Sequence, residues 1–117
     1  MTISRETLKR AKFGDVATGR RLAPVHPGEV LLHDLMEPMG LSTYRVARAM
    51  GVSQTRLSEI LKGVRGVTAE TALRLERVFG MDAQTWLNLQ VQYDLEQAEQ
   101  SMGSRLDEEV TPIDEAA

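Results

Sequence analysis

Within the stretch SQTRLSEILKG, Ser53 to Gly63, the polar residues Gln54, Thr55, Arg56, Ser58, Glu59 and Lys62 are interleaved with only three aliphatic ones, Leu57, Ile60 and Leu61. Several of these types carry donor and acceptor patterns that read base edges. Gln bonds adenine bidentately, Arg bonds guanine, Thr bonds a base or touches a thymine methyl, and Glu accepts from a cytosine amine. If the stretch is a helix held down by its three aliphatic residues, Gln54, Thr55, Ser58 and Glu59 line its exposed leading side. Solvation is the plain explanation of any polar helix face, but the local charge argues for more. Between Leu41 and Thr68, Arg45, Arg48, Arg56, Lys62 and Arg65 face a single acid, Glu59. A surface of that sign attracts phosphate.

No other set of reactive side chains has comparable support. His26 and His33 lie seven apart with Asp34 and Glu37 nearby, a spacing around which a metal can be imagined. A loop position for His26 and a solvent-facing one for His33 suit the pattern better, so neither a metal nor another cofactor is expected. There is no cysteine, which excludes disulfides, thiolate ligands and a Cys nucleophile. No Ser-His-Asp set, Gly-rich phosphate loop or carboxylate pair has supporting context, and an enzyme is not expected. Trp86 and Tyr93, two helical turns apart, read as core or dimer packing rather than a ligand site.

The elements that would position the polar face are legible as capped helices. Pro27 and Glu29 mark a first helix, from about Gly28 to Met39, because Pro needs no amide partner there and an acid suits the positive helix end. Ser42 is a cap for Thr43 to Met50, Ser53 for the quoted helix, Thr68 for a helix through Phe79, and Asp82 for one from Ala83 to about Ser101. Apolar residues recur at helical spacing in each, and no alternating strand pattern occurs in residues 28–101. The fold expected is all-α. Only 4% of the 117 residues are aromatic, so aliphatic side chains must fill its single core.

The seven residues Ala47 to Ser53 join the second helix to the third. Ala47 permits close approach, Gly51 supplies a positive φ, Val52 plugs the crossing, and Ser53 caps the third helix. Together they form a helix-turn-helix pattern; a plain αα-hairpin is the alternative.

Residues 26–101 resemble the HigA (VapI-type) antitoxins, a branch of the Xre/Cro/C1 helix-turn-helix family. The resemblance rests on HPGEVLLHDLMEPMGLS, VARAMGVSQTRLSEILKG and VTAETALRLERVFGMDAQTWLNLQVQYDL. The HPGE opening, together with Trp86 to Gln90 and then Tyr93 to Leu95, separates this branch from generic phage-repressor domains. It implies a five-helix Xre/lambda-repressor-like domain that binds double-stranded operator DNA as a homodimer. It also implies repression of its own operon and neutralisation of a HigB toxin, an mRNA-cleaving RNase of the RelE type. By position, base readers fall on Gln54, Thr55, Arg56 and Glu59, with Thr43 nearby, and backbone contacts on Arg45, Ser53, Lys62 and Arg65. Glu59 departs from a comfortable pattern, since a carboxylate near DNA is repelled unless it meets a cytosine amine. A stand-alone repressor and a protein-only adaptor are the other functions considered.

The net charge of −3 conceals a strong gradient. Residues 1–27 hold six Lys/Arg against two acids, residues 28–91 seven against seven, and residues 92–117 one against eight. Residues 1–25 therefore read as a basic arm, and 102–117 as an acidic tail in which Leu106, Val110 and Ile113 fit either a short strand or disorder. Asp107, Glu108 and Glu109 are candidates to meet a basic toxin. The fifth helix is the expected dimer surface, with Trp86, Leu89 and Tyr93 on it. No apolar run approaches the roughly 20 residues of a membrane span, and no signal peptide is evident; a cytoplasmic protein without membrane contact is expected.

Overall fold

The structure, a computed structural model, describes residues 25–113. Most of the basic arm and the last four residues of the tail lie outside the described residues. Among the described residues six helices occur in order. The segments Pro27–Glu29, Val30–Met36 and Glu37–Met39 run on as α1. Then come α2 (Thr43–Met50), α3 (Gln54–Leu61), α4 (Ala69–Phe79), α5 (Ala83–Met102) and α6 (Arg105–Glu109). Among the described residues there is no strand.

The middle section of α1 is π-helical: the Glu37 amide donates to the Leu32 carbonyl, five residues back. Pro38 explains the wider turn. It has no amide hydrogen, and its ring would meet the carbonyl four residues earlier in a regular α-helix. Gly40, at φ 64°, then ends the helix.

Ser42, Ser53 and Thr68 all cap as their types and positions require. Their hydroxyls accept from the amides of Arg45 at 3.1 Å, Arg56 at 3.0 Å and Thr71 at 3.3 Å, each worth about 1 kcal/mol. Asp82 stands at the N-cap of α5 but makes no side-chain cap bond there. Gly51 has φ 75°, and its amide donates to Ala47 and Arg48.

One core gathers Val30, Leu31 and Met36 of α1, Val46, Ala47 and Met50 of α2, Leu57 and Ile60 of α3, Ala72 and Leu75 of α4, and Trp86 of α5. Val52 packs half-buried against it, as does Leu61. The helices that meet are α1 with α3 and α5, α2 with α3 and α4, and α4 with α5. Beyond Tyr93, α5 leaves this body, and Leu95 is exposed.

The strand considered at Leu106, Val110 and Ile113 does not form. Arg105 to Glu109 is helical, its Arg105 Nε donating to Glu109 Oε2 one turn on at 3.3 Å. Arg and Glu favour helix, and no neighbouring strand offers a ladder. Among the described residues no helix is long and apolar enough to cross a membrane.

Candidate nucleic-acid interface

The α3 helix is pinned by its inner face. Leu57 and Ile60 are both 0% exposed, whereas Gln54 and Thr55 at its first turn are exposed. Behind its C-terminal end sits the start of α1. His26 Nδ1 accepts from the Gly28 amide at 2.9 Å, which caps that helix. A Cβ on Gly28 would overlap the main-chain carbonyl of Ile60. The HPG sequence thus does packing work: it lets the N-terminus of α1 press against the last turn of α3.

Arg56 does not extend outward as a base reader would. Its Nη2 donates to Thr71 Oγ1 at 2.8 Å and to Glu70 Oε1 at 3.3 Å, and the side chain is only 27% exposed. It ties α3 to the first turn of α4. The cause is the buried Thr71 hydroxyl, which attracts a donor, and the Glu70 carboxylate beside it.

Glu70 has a second cation. Arg74 Nε donates to Glu70 Oε2 at 3.0 Å, while Arg74 Nη1 reaches across to the Met50 carbonyl at 2.9 Å, in the helix-turn-helix corner. The bond from Arg74 and the charge of Arg56 hold the Glu70 carboxyl below the ordinary carboxylate range. Sequence reading missed Arg74 and Glu70 because their partners lie on other helices. The only local signal was their own spacing of four.

Glu59 is half-buried and paired. Its Oε1 accepts from Arg65 Nε at 2.8 Å. The nearby guanidinium neutralises the carboxylate, so Glu59 would repel a phosphate less than the bare sequence implies. Lys62, Arg65 and Arg45 are exposed, Thr43 is half-buried, and Ser53 is exposed with its hydroxyl committed to the cap. The structure therefore brings Gln54, Thr55, Arg45, Lys62 and Arg65 to the surface, while the half-buried Arg56 lies along the join of α3 and α4.

The loop from α3 to α4 is fixed at both ends. The amides of Val64 and Arg65 donate to the Glu59 carbonyl at 3.0 and 3.2 Å, and the Val67 amide donates to Gln90 Oε1 at 2.7 Å.

On α5, Trp86 is wholly inside the core of a single chain, with no surface to offer a partner. Leu89 and Tyr93 are half-buried, and Tyr93 meets the His26 ring edge-on with centroids 4.9 Å apart. Asp107, Glu108 and Glu109 are exposed on α6. His33 is exposed and bonds Glu37 at 3.0 Å, which raises its pKa. Among the described residues no group of three His, Cys, Asp or Glu is placed to hold a metal.

A family model described as helix-turn-helix matches residues 32–86. Virulence-associated protein I of Dichelobacter nodosus is 50% identical over 90 residues, which are 76% of this chain and 83% of that one. A solved structure of the Pseudomonas aeruginosa antitoxin HigA with the higBA promoter superposes with a TM-score of 0.74 at 37% identity, covering 77% of this chain and 98% of that one. Antitoxin GraA in complex with its operator gives 0.75 at 37% identity, covering 80% and 95%. On fold and sequence alike, this chain belongs to the HigA antitoxins of the helix-turn-helix family.

Proposed function

We propose that this chain is a DNA-binding antitoxin that represses its own operon as a homodimer, with α3 in the major groove of a palindromic operator. The observation that carries this reading is the exposure of Gln54 and Thr55 at the leading turn of α3, while Leu57 and Ile60 stay buried behind them. Gln54 and Thr55 read bases. Arg45, Lys62 and Arg65 grip phosphates from α2 and the loop after α3, with the Ser53 turn close to the backbone. Glu59, steadied by Arg65, accepts from a cytosine amine. Thr43 lies near the same groove. Solved relatives bound to a promoter or operator support the assignment.

A two-fold dimer would space its two α3 helices by about 34–36 Å, one turn of DNA. The outer face of α5, with Leu89, Tyr93 and the exposed Val91 and Leu95, is the surface proposed for the second copy.

The toxin partner is a HigB-type RNase in the cytoplasm. Acidic groups on and after α6, Asp107, Glu108 and Glu109 among them, complement the basic surface an RNA-cleaving protein needs, and complementary potentials orient association. Titrating the promoter upstream of this gene at two stated salt concentrations tests the DNA reading, with tight binding that weakens as salt rises as the expected result. Loss of toxin capture on deleting residues 103–117 is expected for the tail; unchanged affinity removes it from the interface.

A further inference from the structure

The two stretches that set this chain apart from generic repressor domains, HPGE at the start of α1 and WLNLQ with YDL on α5, converge on one place. That place is the loop between α3 and α4, which carries Arg65 just after Lys62 at the end of α3. Gln90 supplies the acceptor for the Val67 amide at 2.7 Å, and its own amide donates to Asp94 Oδ1 at 2.9 Å, which fixes the orientation of the group. Gly66 lies so close that a Cβ there would sit 3.2 Å from the Gln90 side chain. At the other end of the loop, the His26 ring lies under Gly63, 3.6 Å from where a Cβ would stand. His26 spends Nδ1 on the Gly28 amide, and Tyr93 packs edge-on against the ring.

We propose that Gln90, Tyr93 and His26 form a clasp that holds the α3–α4 loop in its phosphate-gripping position. In this way α5, which carries none of the expected DNA contacts, sets the strength of the backbone grip. The three are positioning residues acting through Lys62 and Arg65. A loop fastened beforehand loses little freedom on meeting a phosphate, whereas a loose one must be ordered at that moment. Sequence discrimination sits elsewhere, on Gln54 and Thr55, and is independent of the clasp. The inference rests on the DNA-binding reading above.

The test uses the full chain and two variants. Gln90→Leu keeps the bulk and removes the acceptor. Gln90→Glu with Asp94→Asn leaves the net charge unchanged, restores an acceptor for Val67 and reverses the 90–94 bond. Hydrogen exchange of the Val67 amide is read without DNA, and affinity for operator and random duplexes is read across a salt series. In Gln90→Leu the Val67 amide should exchange at least tenfold faster. Both duplexes should weaken by a similar factor, and the salt slope should fall by about 2 for a dimer losing one phosphate contact per protomer. The double variant should restore all three. Unchanged exchange, an unchanged salt slope, a loss confined to the operator, or no rescue by the double variant would each overturn the clasp. Wild-type chain that binds neither duplex defeats the DNA reading and the clasp together; wild-type binding with an unaltered Gln90→Leu defeats the clasp alone.

Discussion

Arg74 on α4 fastens the corner of the helix-turn-helix unit, its Nη1 donating to the carbonyl of Met50 at 2.9 Å. The Met50 carbonyl is at the C-terminal end of α2, where backbone acceptors lack intrahelical partners. Removing the guanidinium leaves it to water and frees the angle between α2 and α3. Arg74→Ala should therefore cost about 1 kcal/mol of stability and weaken operator binding, although Arg74 is not among the expected DNA contacts. Thermal melts paired with a titration check both effects.

Gly28 marks the closest approach of α1 to α3. Gly28→Ala should cost roughly 3 kcal/mol, because the added methyl meets the Ile60 main chain and a backbone cannot swing aside as a side chain can. Gly40→Ala is the comparison. Nothing lies within 4 Å of a Cβ there, so only the left-handed backbone is strained, at about 1–2 kcal/mol. Denaturant midpoints should rank the two in that order.

His26 is buried and holds its cap bond only while Nδ1 is unprotonated. Burial lowers its pKa from the ordinary 6.5, outweighing the pull of Asp94 and Glu29. The unfolded chain then binds the proton more readily than the folded one. The contribution to stability is complete above the unfolded value and is lost as pH falls through the folded one. His33, with its raised pKa, works in the opposite sense, so the comparison must be between variants. His26→Asn, whose side chain can still cap, should flatten the fall in melting temperature between about pH 7 and pH 5. An unchanged pH profile would count against His26 as the titrating group.

Arg56 separates a structural role from a reading role. Since its guanidinium bonds Thr71 and Glu70, Arg56→Ala should lower stability by about 1–2 kcal/mol. The preference for any particular guanine should stay unaltered. Selection of preferred sites from a random duplex pool would reveal a lost guanine if Arg56 did read one.

The caps and corners were legible because their determinants are local. Ser42, Ser53 and Thr68 each bond three residues ahead, and Gly51 needs only its own positive φ. The exposed placement of Gln54 and Thr55 followed from the spacing of Leu57 and Ile60. What escaped were pairs distant in sequence. Arg74 with Met50 is 24 apart, and Gln90 with Val67 is 23 apart; neither leaves a periodic trace. The bridging bond of Arg56 escaped for the same reason, since its partner Thr71 lies 15 positions on. The π-helical section of α1 shows how one proline, Pro38, reshapes the turn before it without ending the helix at once.

The most direct test compares two substitutions on two duplexes. Gln54→Ala should cost about 1–3 kcal/mol on the operator and almost nothing on random DNA, whereas Arg65→Ala should weaken both alike and lower the salt slope by about 2, one phosphate contact per protomer of the dimer. Equal losses on operator and random duplex for Gln54→Ala would contradict α3 as the element that reads sequence.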